Sequence, residues 1–149
     1  MTSKPPMRDL IVILPGILGS VLQKDGRDLW AVSGQAIWNI LRTGGNAVGD
    51  LKVQQDDPDA ENLDDGIRAT RLVENVSIIP GLMKIDGYTD ATRTIVNNFS
   101  NVTQGDIYND PDDQAANFYH FPYDWRRDNQ VAAKILKRLL DKRLKCWRE

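Results

Sequence analysis

A chain of 149 residues with 41% hydrophobic content has the length of one modest domain and enough apolar side chain for one core. Lys and Arg number 19 against 21 Asp and Glu, a formal net charge of −2, which excludes a polyanion-seeking surface as the dominant feature and gives no reason to expect a nucleic-acid partner. The charge is unevenly spread: seven acids stand against one base between Asp50 and Asp65, and nine bases against three acids from Arg126 onward.

The single cysteine, Cys146, has no partner for an intrachain disulfide, which fits a reducing compartment. The early apolar run Leu10 to Leu14 is cut by Pro15-Gly16, short of the roughly 7–15 apolar residues of an export signal. No stretch approaches the ~20 apolar residues of a membrane span. A cytoplasmic location, peripheral at membranes, is the expectation, and on it the sequons at Asn75, Asn98 and Asn101 read as chance.

In chain order, Asp9 to Leu14 is a short, continuous, β-branched-rich run, the pattern of a strand buried on both faces of a parallel sheet. Pro15-Gly16-Ile17-Leu18-Gly19-Ser20 ends it in a glycine-containing turn, and Val21 to Asp28 is expected to lead away from the sheet. Ser33 can cap a short helix in which Ala36, Ile37, Ile40 and Leu41 share a face beside Trp38. The acidic Asp50–Asp65 stretch reads as exposed loop, and Ile67 to Ile79 as an extended edge piece.

Regular structure is expected again from Gly87. Thr89 or Asp90 can cap a helix running to Phe99, with Ala91, Ile95 and Phe99 four apart on one face. Ser100 to Gln114 reads as loop, and Asn117 to Tyr123 as a second, aromatic strand ending at Pro122. Asn129 to Trp147 is the clearest helix, with Val131, Ala132, Ile135, Leu136, Leu139, Leu140 and Leu144 in one apolar stripe and Lys134, Lys137, Arg138, Lys142, Arg143 and Lys145 mostly elsewhere. That basic face is read as solvated; attraction to anionic lipid is the alternative. Helices between strands imply an α/β fold: a parallel sheet with helical crossovers, carrying a lid-like insertion.

Two segments go beyond fold class. Ile13-Leu14-Pro15-Gly16-Ile17-Leu18-Gly19-Ser20 and, far downstream, Phe121-Pro122-Tyr123-Asp124-Trp125-Arg126-Arg127 together resemble the lecithin:cholesterol acyltransferase family, which includes phospholipid:diacylglycerol acyltransferases and related phospholipases. Val76-Ser77-Ile78-Ile79-Pro80-Gly81 and Gly87-Tyr88 are similar to the stretch before that family's first main helix. The resemblance implies the N-terminal part of an α/β-hydrolase domain: first core strand and oxyanion turn over 9–20, a lid-like insertion over 29–80, and a helix-strand-helix unit over 87–149. It also implies lipid O-acyltransferase or (phospho)lipase activity through a serine acyl-enzyme, with a lipid or acyl ester as substrate and a membrane or lipid surface as partner.

The resemblance casts the backbone N–H of Ile17 as one oxyanion donor, with Pro15, Gly16 and Gly19 shaping its loop. Physically, a turn of small residues straight after a buried strand lets backbone approach a substrate closely. The bland alternative is a strand-ending turn and nothing more. Tyr123, Asp124 and Arg126 sit at a strand's C-terminal end, where open α/β sheets place ligands. Asp124 and Arg126 are read as bracing the loop, because Ser–His–Asp chemistry needs no acid or base there; Trp125 is a candidate acyl-chain wall. Trp30 and Trp38, with Ile37, Ile40 and Leu41, either grip a lipid surface or pack as local core. His120, the only histidine, reads as structural.

None of the five serines, Ser3, Ser20, Ser33, Ser77 and Ser100, lies in a Gly-x-Ser-x-Gly nucleophile elbow. The 149 residues are therefore expected to be inactive by themselves. The alternative to an enzyme segment is a non-catalytic, lipid-binding remnant that keeps the oxyanion loop and lid. No Walker-type loop, dinucleotide fingerprint or metal-ligand cluster is present in the sequence, so no cofactor is expected.

Overall fold

The computed structural model describes residues 3–31, 51, 53, 56–74, 76–79, 83–85, 88–111 and 116–148. The elements in chain order are β1 (Ile11–Ile13), β2 (Ser20–Lys24), β3 (Arg27–Trp30), β4 (Ile67–Leu72), β5 (Val76–Ile79), β6 (Met83–Ile85), α1 (Thr89–Asn98), β7 (Gln104–Asp106), β8 (Phe118–His120) and α2 (Asn129–Arg148). Mixed helix and strand are thus arranged around a small parallel sheet, with separate antiparallel sheets beside it.

The parallel sheet has the order β1-β8-β7. Ile11, Val12 and Ile13 lie opposite Phe118, Tyr119 and His120, and Gln104 to Asp106 flank the same three residues on the other side. The aromatic strand is therefore the central one, and β1 is an edge of half-buried Ile, Val and Ile. Alternation along β8 divides its side chains. Tyr119 and Phe121 point to one face, where they cluster with Ile107, Ala116 and Leu139, and with Ala132, Ile135 and Leu136 of α2. Phe118 and His120 point to the other face, toward α1.

β7 falls inside the stretch expected to be loop. Gln104-Gly105-Asp106 has no apolar pattern to betray it, and it pairs because Gly105 permits a close approach. A Cβ there would strike the side chains of Asp110, Tyr119 and Ala116. α1 ends near Phe99 as expected, but Tyr88 rather than Thr89 or Asp90 holds the cap position, without a side-chain cap bond, and the inner face differs: Ala91 is exposed, and Thr92 stands with Ile95 and Phe99 toward the protein.

The residues after the turn leave the parallel sheet as expected, but they do so as strands of a second sheet. β2 and β3 form a hairpin closed by Asp25 (φ 51°) and Gly26 (φ 74°), both left-handed as a two-residue type I′ turn requires. β4 pairs with the other edge of β2, giving the antiparallel order β3-β2-β4. The expected edge piece over 67–79 is split in two, β4 and then β5, which pairs with β6. The sheet joins residues on both sides of the boundary expected at Leu29. Its apolar face gathers Leu22, Trp30, Leu51, Ile67 and Ala69 with Trp125. The helix expected after Ser33, with Ala36, Ile37, Trp38, Ile40 and Leu41, lies outside the described residues.

The basic face of α2 is exposed, as expected, at Lys134, Lys137, Arg138, Lys142 and Lys145, with one exception. Arg143, 1% exposed, turns into the fold, and its guanidinium donates to the carbonyls of Asp106, Ile107, Asp110 and Pro111. Arg127, just before α2, donates to the Asp56 carboxylate and to the carbonyls of Asp57, Ala60 and Glu61. Lys134 pairs with Asp59, and Arg138 with Glu61. The acidic and basic stretches of the sequence are thus stitched to one another, although the exposed pairs contribute little individually.

These pairs set an acid limit on stability. The Asp128 amide and Arg127 hold the Asp56 carboxyl below its ordinary 3.8. Burial alone would raise Asp65 and Asp106, but hydrogen bonds offset it and both stand below 3.8. His120 is lowered from 6.5 by burial. A depressed folded value means stability that is full above the unfolded value and lost as pH falls through the folded one. The denaturation midpoint is therefore expected to be flat between pH 6.5 and about pH 10, to decline slightly below that range through His120, and to fall steeply below about pH 3.8. His120→Asn is expected to remove the first decline only; a wild-type profile without either step would contradict this assignment.

Candidate functional site

The turn after β1 and the loop after β8 meet at the C-terminal end of the parallel sheet, because β1 and β8 are parallel neighbours. The Phe121 amide still donates to the Ile13 carbonyl at 3.0 Å. Beyond it, Ser20, fully buried, ties the two segments. Its Oγ accepts the Tyr123 amide at 3.0 Å and its carbonyl accepts Trp125 Nε1 at 3.0 Å. Ser20→Ala leaves the Tyr123 N–H without its acceptor and is expected to cost about 1–3 kcal/mol. A chemical denaturation curve checks it, and an unchanged midpoint would show that the tie is dispensable.

The bend itself is a hydrogen-bonded turn in which the Gly19 amide donates to the Gly16 carbonyl at 3.0 Å. Leu18 occupies its third position with φ 65°, the left-handed conformation a type II turn requires and usually gives to glycine or asparagine. A leucine there is strained by about 1–3 kcal/mol and persists only if its surroundings hold it. They do: Trp30 Nε1 donates to the Leu18 carbonyl at 3.0 Å, the Val73 amide donates to the Gly19 carbonyl at 2.9 Å, and the Gly16 amide donates to the Tyr88 hydroxyl at 2.7 Å. Gly19 is required by crowding, since a Cβ there would lie 2.8 Å from Pro15 Cβ and 2.8 Å from Tyr88 Oη. A Cβ on Gly16 would meet only ordinary contact.

Two groups on this bend are left over. Among the described residues the amides of Ile17 and Leu18 have no hydrogen-bond acceptor, and Ile17 is 71% exposed. Leu14 and Leu18 are exposed beside it. The bend therefore offers a pair of adjacent backbone donors on a fixed frame with an apolar surround. Such donors stabilise charge developing on a carbonyl oxygen, at about 2.7–4 kcal/mol each where one has been removed from a working site.

Around the bend, Asp124 and Arg126 form a two-pronged ion pair, with Nε to Oδ1 at 2.8 Å and Nη2 to Oδ2 at 2.5 Å. Arg126 Nη1 reaches Asp65 at 2.9 Å, which fastens the loop to the residues before β4. Trp125 packs edge-to-face on Trp30, centroids 5.3 Å apart. Trp30 is thus buried against the second sheet, the local-core alternative of its two readings. Trp38 lies outside the described residues. His120 Nε2 lies 2.9 Å from Thr92 Oγ1, which also donates to the Tyr88 carbonyl.

A crevice of about 910 Å³ opens on one side of this loop. Tyr108, His120, Tyr123 and Asp124 line it opposite Ile67 to Arg71 of β4 and Ile135 of α2. The bend does not line it: Tyr123 and Asp124 belong to the crevice, whereas Ile17 and Leu18 face out elsewhere. Burial pushes the phenols of Tyr108 and Tyr123 upward, so both stay protonated donors at neutral pH. Among the described residues, no group of three His, Cys, Asp or Glu is placed to hold a metal ion, and no helix is long and apolar enough to cross a membrane.

Sequence reasoning marked the bend and the loop, but not what fastens them. Ser20 and Tyr88 stand within segments that carry the resemblance, and Trp30 was read as lid or local core, but their fastening roles come from contacts made across long stretches of chain. Comparison of the chain with protein-family models, with curated proteins and with solved structures finds no match.

Proposed function

We propose that this chain forms the oxyanion-loop part of a lipid acyl-transfer enzyme of the lecithin:cholesterol acyltransferase type, within an α/β-hydrolase fold. The observation that carries the proposal is the pair of amides at Ile17 and Leu18, which have no acceptor among the described residues, on an over-determined bend beside the Tyr123–Arg126 loop at the C-terminal end of a parallel sheet. In this reading a serine alkoxide attacks an ester carbonyl, and the carbonyl oxygen takes its negative charge against those amides. The acyl chain runs over Leu14, Ile17 and Leu18. Ser20, the serine nearest the bend among the described residues, is not the nucleophile of this reading, since it is buried and its oxygen is committed to the Tyr123 amide.

That commitment of Ser20 also supports a second reading, a lipid-binding protein that keeps the bend without the chemistry. Both predict that an anion carrying a long alkyl chain binds at the bend. Hexadecylphosphonate is expected to change the tryptophan fluorescence of the chain saturably, with inorganic phosphate and hexadecanol giving weak responses. An equal response to inorganic phosphate, or none to the phosphonate, would contradict both. The two separate on the coding sequence after codon 149: a frame continuing into Gly-x-Ser-x-Gly supports the enzyme, and a stop followed by unrelated sequence supports the binding protein.

A further inference from the structure

The bend is held by a closed circuit of four hydrogen bonds. The Tyr88 amide donates to the Val73 carbonyl at 3.1 Å, the Val73 amide to the Gly19 carbonyl at 2.9 Å, and the Gly19 amide to the Gly16 carbonyl at 3.0 Å. The Gly16 amide closes the ring on the Tyr88 hydroxyl at 2.7 Å. Three of the four links are backbone to backbone, and Tyr88 Oη is the only side-chain atom in the ring. The residue enters the circuit twice, through its amide and through its hydroxyl, across the whole width of its ring.

We propose that Tyr88 is the positioning residue of the oxyanion bend: by accepting the Gly16 N–H, its hydroxyl fixes the Pro15–Gly16 peptide that leads into the turn, and through it the orientation of the Ile17 and Leu18 donors on the next two peptides. The inference rests on the function proposed above and adds to it the residue that sets the donor geometry. Three observations converge on it. Without the hydroxyl, the Gly16 amide has no other acceptor among the described residues, so the entry to the turn loses that tether. Leu18 sits in a strained conformation that needs outside restraint. The space where a Gly19 side chain would begin is occupied by that same hydroxyl, 2.8 Å from an ideal Cβ, so glycine at 19 and tyrosine at 88 are matched to one another.

Tyr88 is itself well anchored. It precedes α1, its carbonyl accepts both the Thr92 amide and the Thr92 hydroxyl at 3.0 Å, and Thr92 in turn touches His120 of the central strand. The bend is thereby referenced to the sheet through two routes, β1 directly and β8 by way of α1. Tyr88 touches no reacting atom in this scheme; it acts through Gly16.

The test uses the whole chain carrying Tyr88→Phe, which keeps the ring and removes only the acceptor. Exchange of the Gly16 amide is expected to rise about tenfold, the value of one lost hydrogen bond. Hexadecylphosphonate affinity is expected to fall by a similar factor, while hexadecanol, which carries no anion, binds unchanged; a merely structural role would move both ligands or neither. Gly19→Ala, which presses on the same hydroxyl from the other side, is expected to reproduce the selective loss. Wild-type Gly16 protection and wild-type phosphonate affinity in Tyr88→Phe would overturn the assignment. If the wild-type chain itself binds no phosphonate, the proposed function fails, and the Gly16 exchange alone then decides whether Tyr88 sets the bend.

Discussion

Replacing Arg143 by methionine is expected to destabilise the protein by roughly 3–5 kcal/mol, because it strips donors from four carbonyls at once while leaving them inside the fold. The guanidinium serves as a plug under the turn that follows β7. Nη1 donates to Pro111 at 3.0 Å, and Nη2 is shared among Asp106, Ile107 and Asp110 at 2.9 to 3.3 Å. It also lies 5.9 Å from the Tyr119 ring centroid, within cation–π range. Its Nε is buried without an acceptor, a cost the arrangement tolerates for the sake of the other bonds. Arg143→Lys keeps the charge but not the planar fork and is expected to fall between wild type and methionine. Equilibrium unfolding in urea measures both, and a methionine variant within 1 kcal/mol of wild type would show that water or a shift of the 106–111 turn replaces the plug.

The second large effect is expected at Arg126. Its side chain is 2% exposed and bridges Asp124 in the loop after β8 and Asp65 before β4. Arg126→Met removes the cation and leaves two carboxylates facing one another. Breaking a buried pair in this way costs about 3–5 kcal/mol; the partial exposure of Asp65 places the loss at the lower end. Because the same loop carries the Tyr123 amide and Trp125, both bonded to Ser20, the bend is expected to loosen with it. The triple change Arg126→Met, Asp124→Asn and Asp65→Asn, which removes all three charges, is expected to recover part of the stability. A single variant as stable as wild type would mean that the ion pair contributes nothing here, as many exposed ones do.

The parts of this fold legible in the sequence were those whose signal is local. The apolar run at Ile11 to Ile13, the aromatic β8 and the stripe of α2 each carry a local pattern, although β1 proves a half-buried edge rather than a strand buried on both faces. What was not legible is decided by partners distant in the chain. β7 is three residues without an apolar one, and only the fit of Gly105 against Tyr119 makes it a strand. The β2–β3 hairpin hid behind polar residues, although Asp25-Gly26 is a recognisable two-residue turn. Arg143 occupies the apolar face of α2 at a position where charge alone argues for solvent; its acceptors come from a loop some thirty residues earlier. At the site, the Pro15–Gly19 turn could be read from its residue types and the Tyr123–Arg126 loop from the family resemblance, whereas the fastening roles of Ser20 and Tyr88, which stand in the same resembling segments, could not be read. Their roles exist only once β1 and β8 stand side by side.

The Ile17 and Leu18 amides are the heart of the functional proposal, and proton–nitrogen correlation spectra of the labelled chain observe them directly. On titration with hexadecylphosphonate, their amide protons are expected to move downfield together and saturably, with Gly16 and Gly19, already bonded within the circuit, moving little. Saturable shifts confined to the crevice residues around Tyr108, His120 and Tyr123, with Ile17 and Leu18 unmoved, would contradict it.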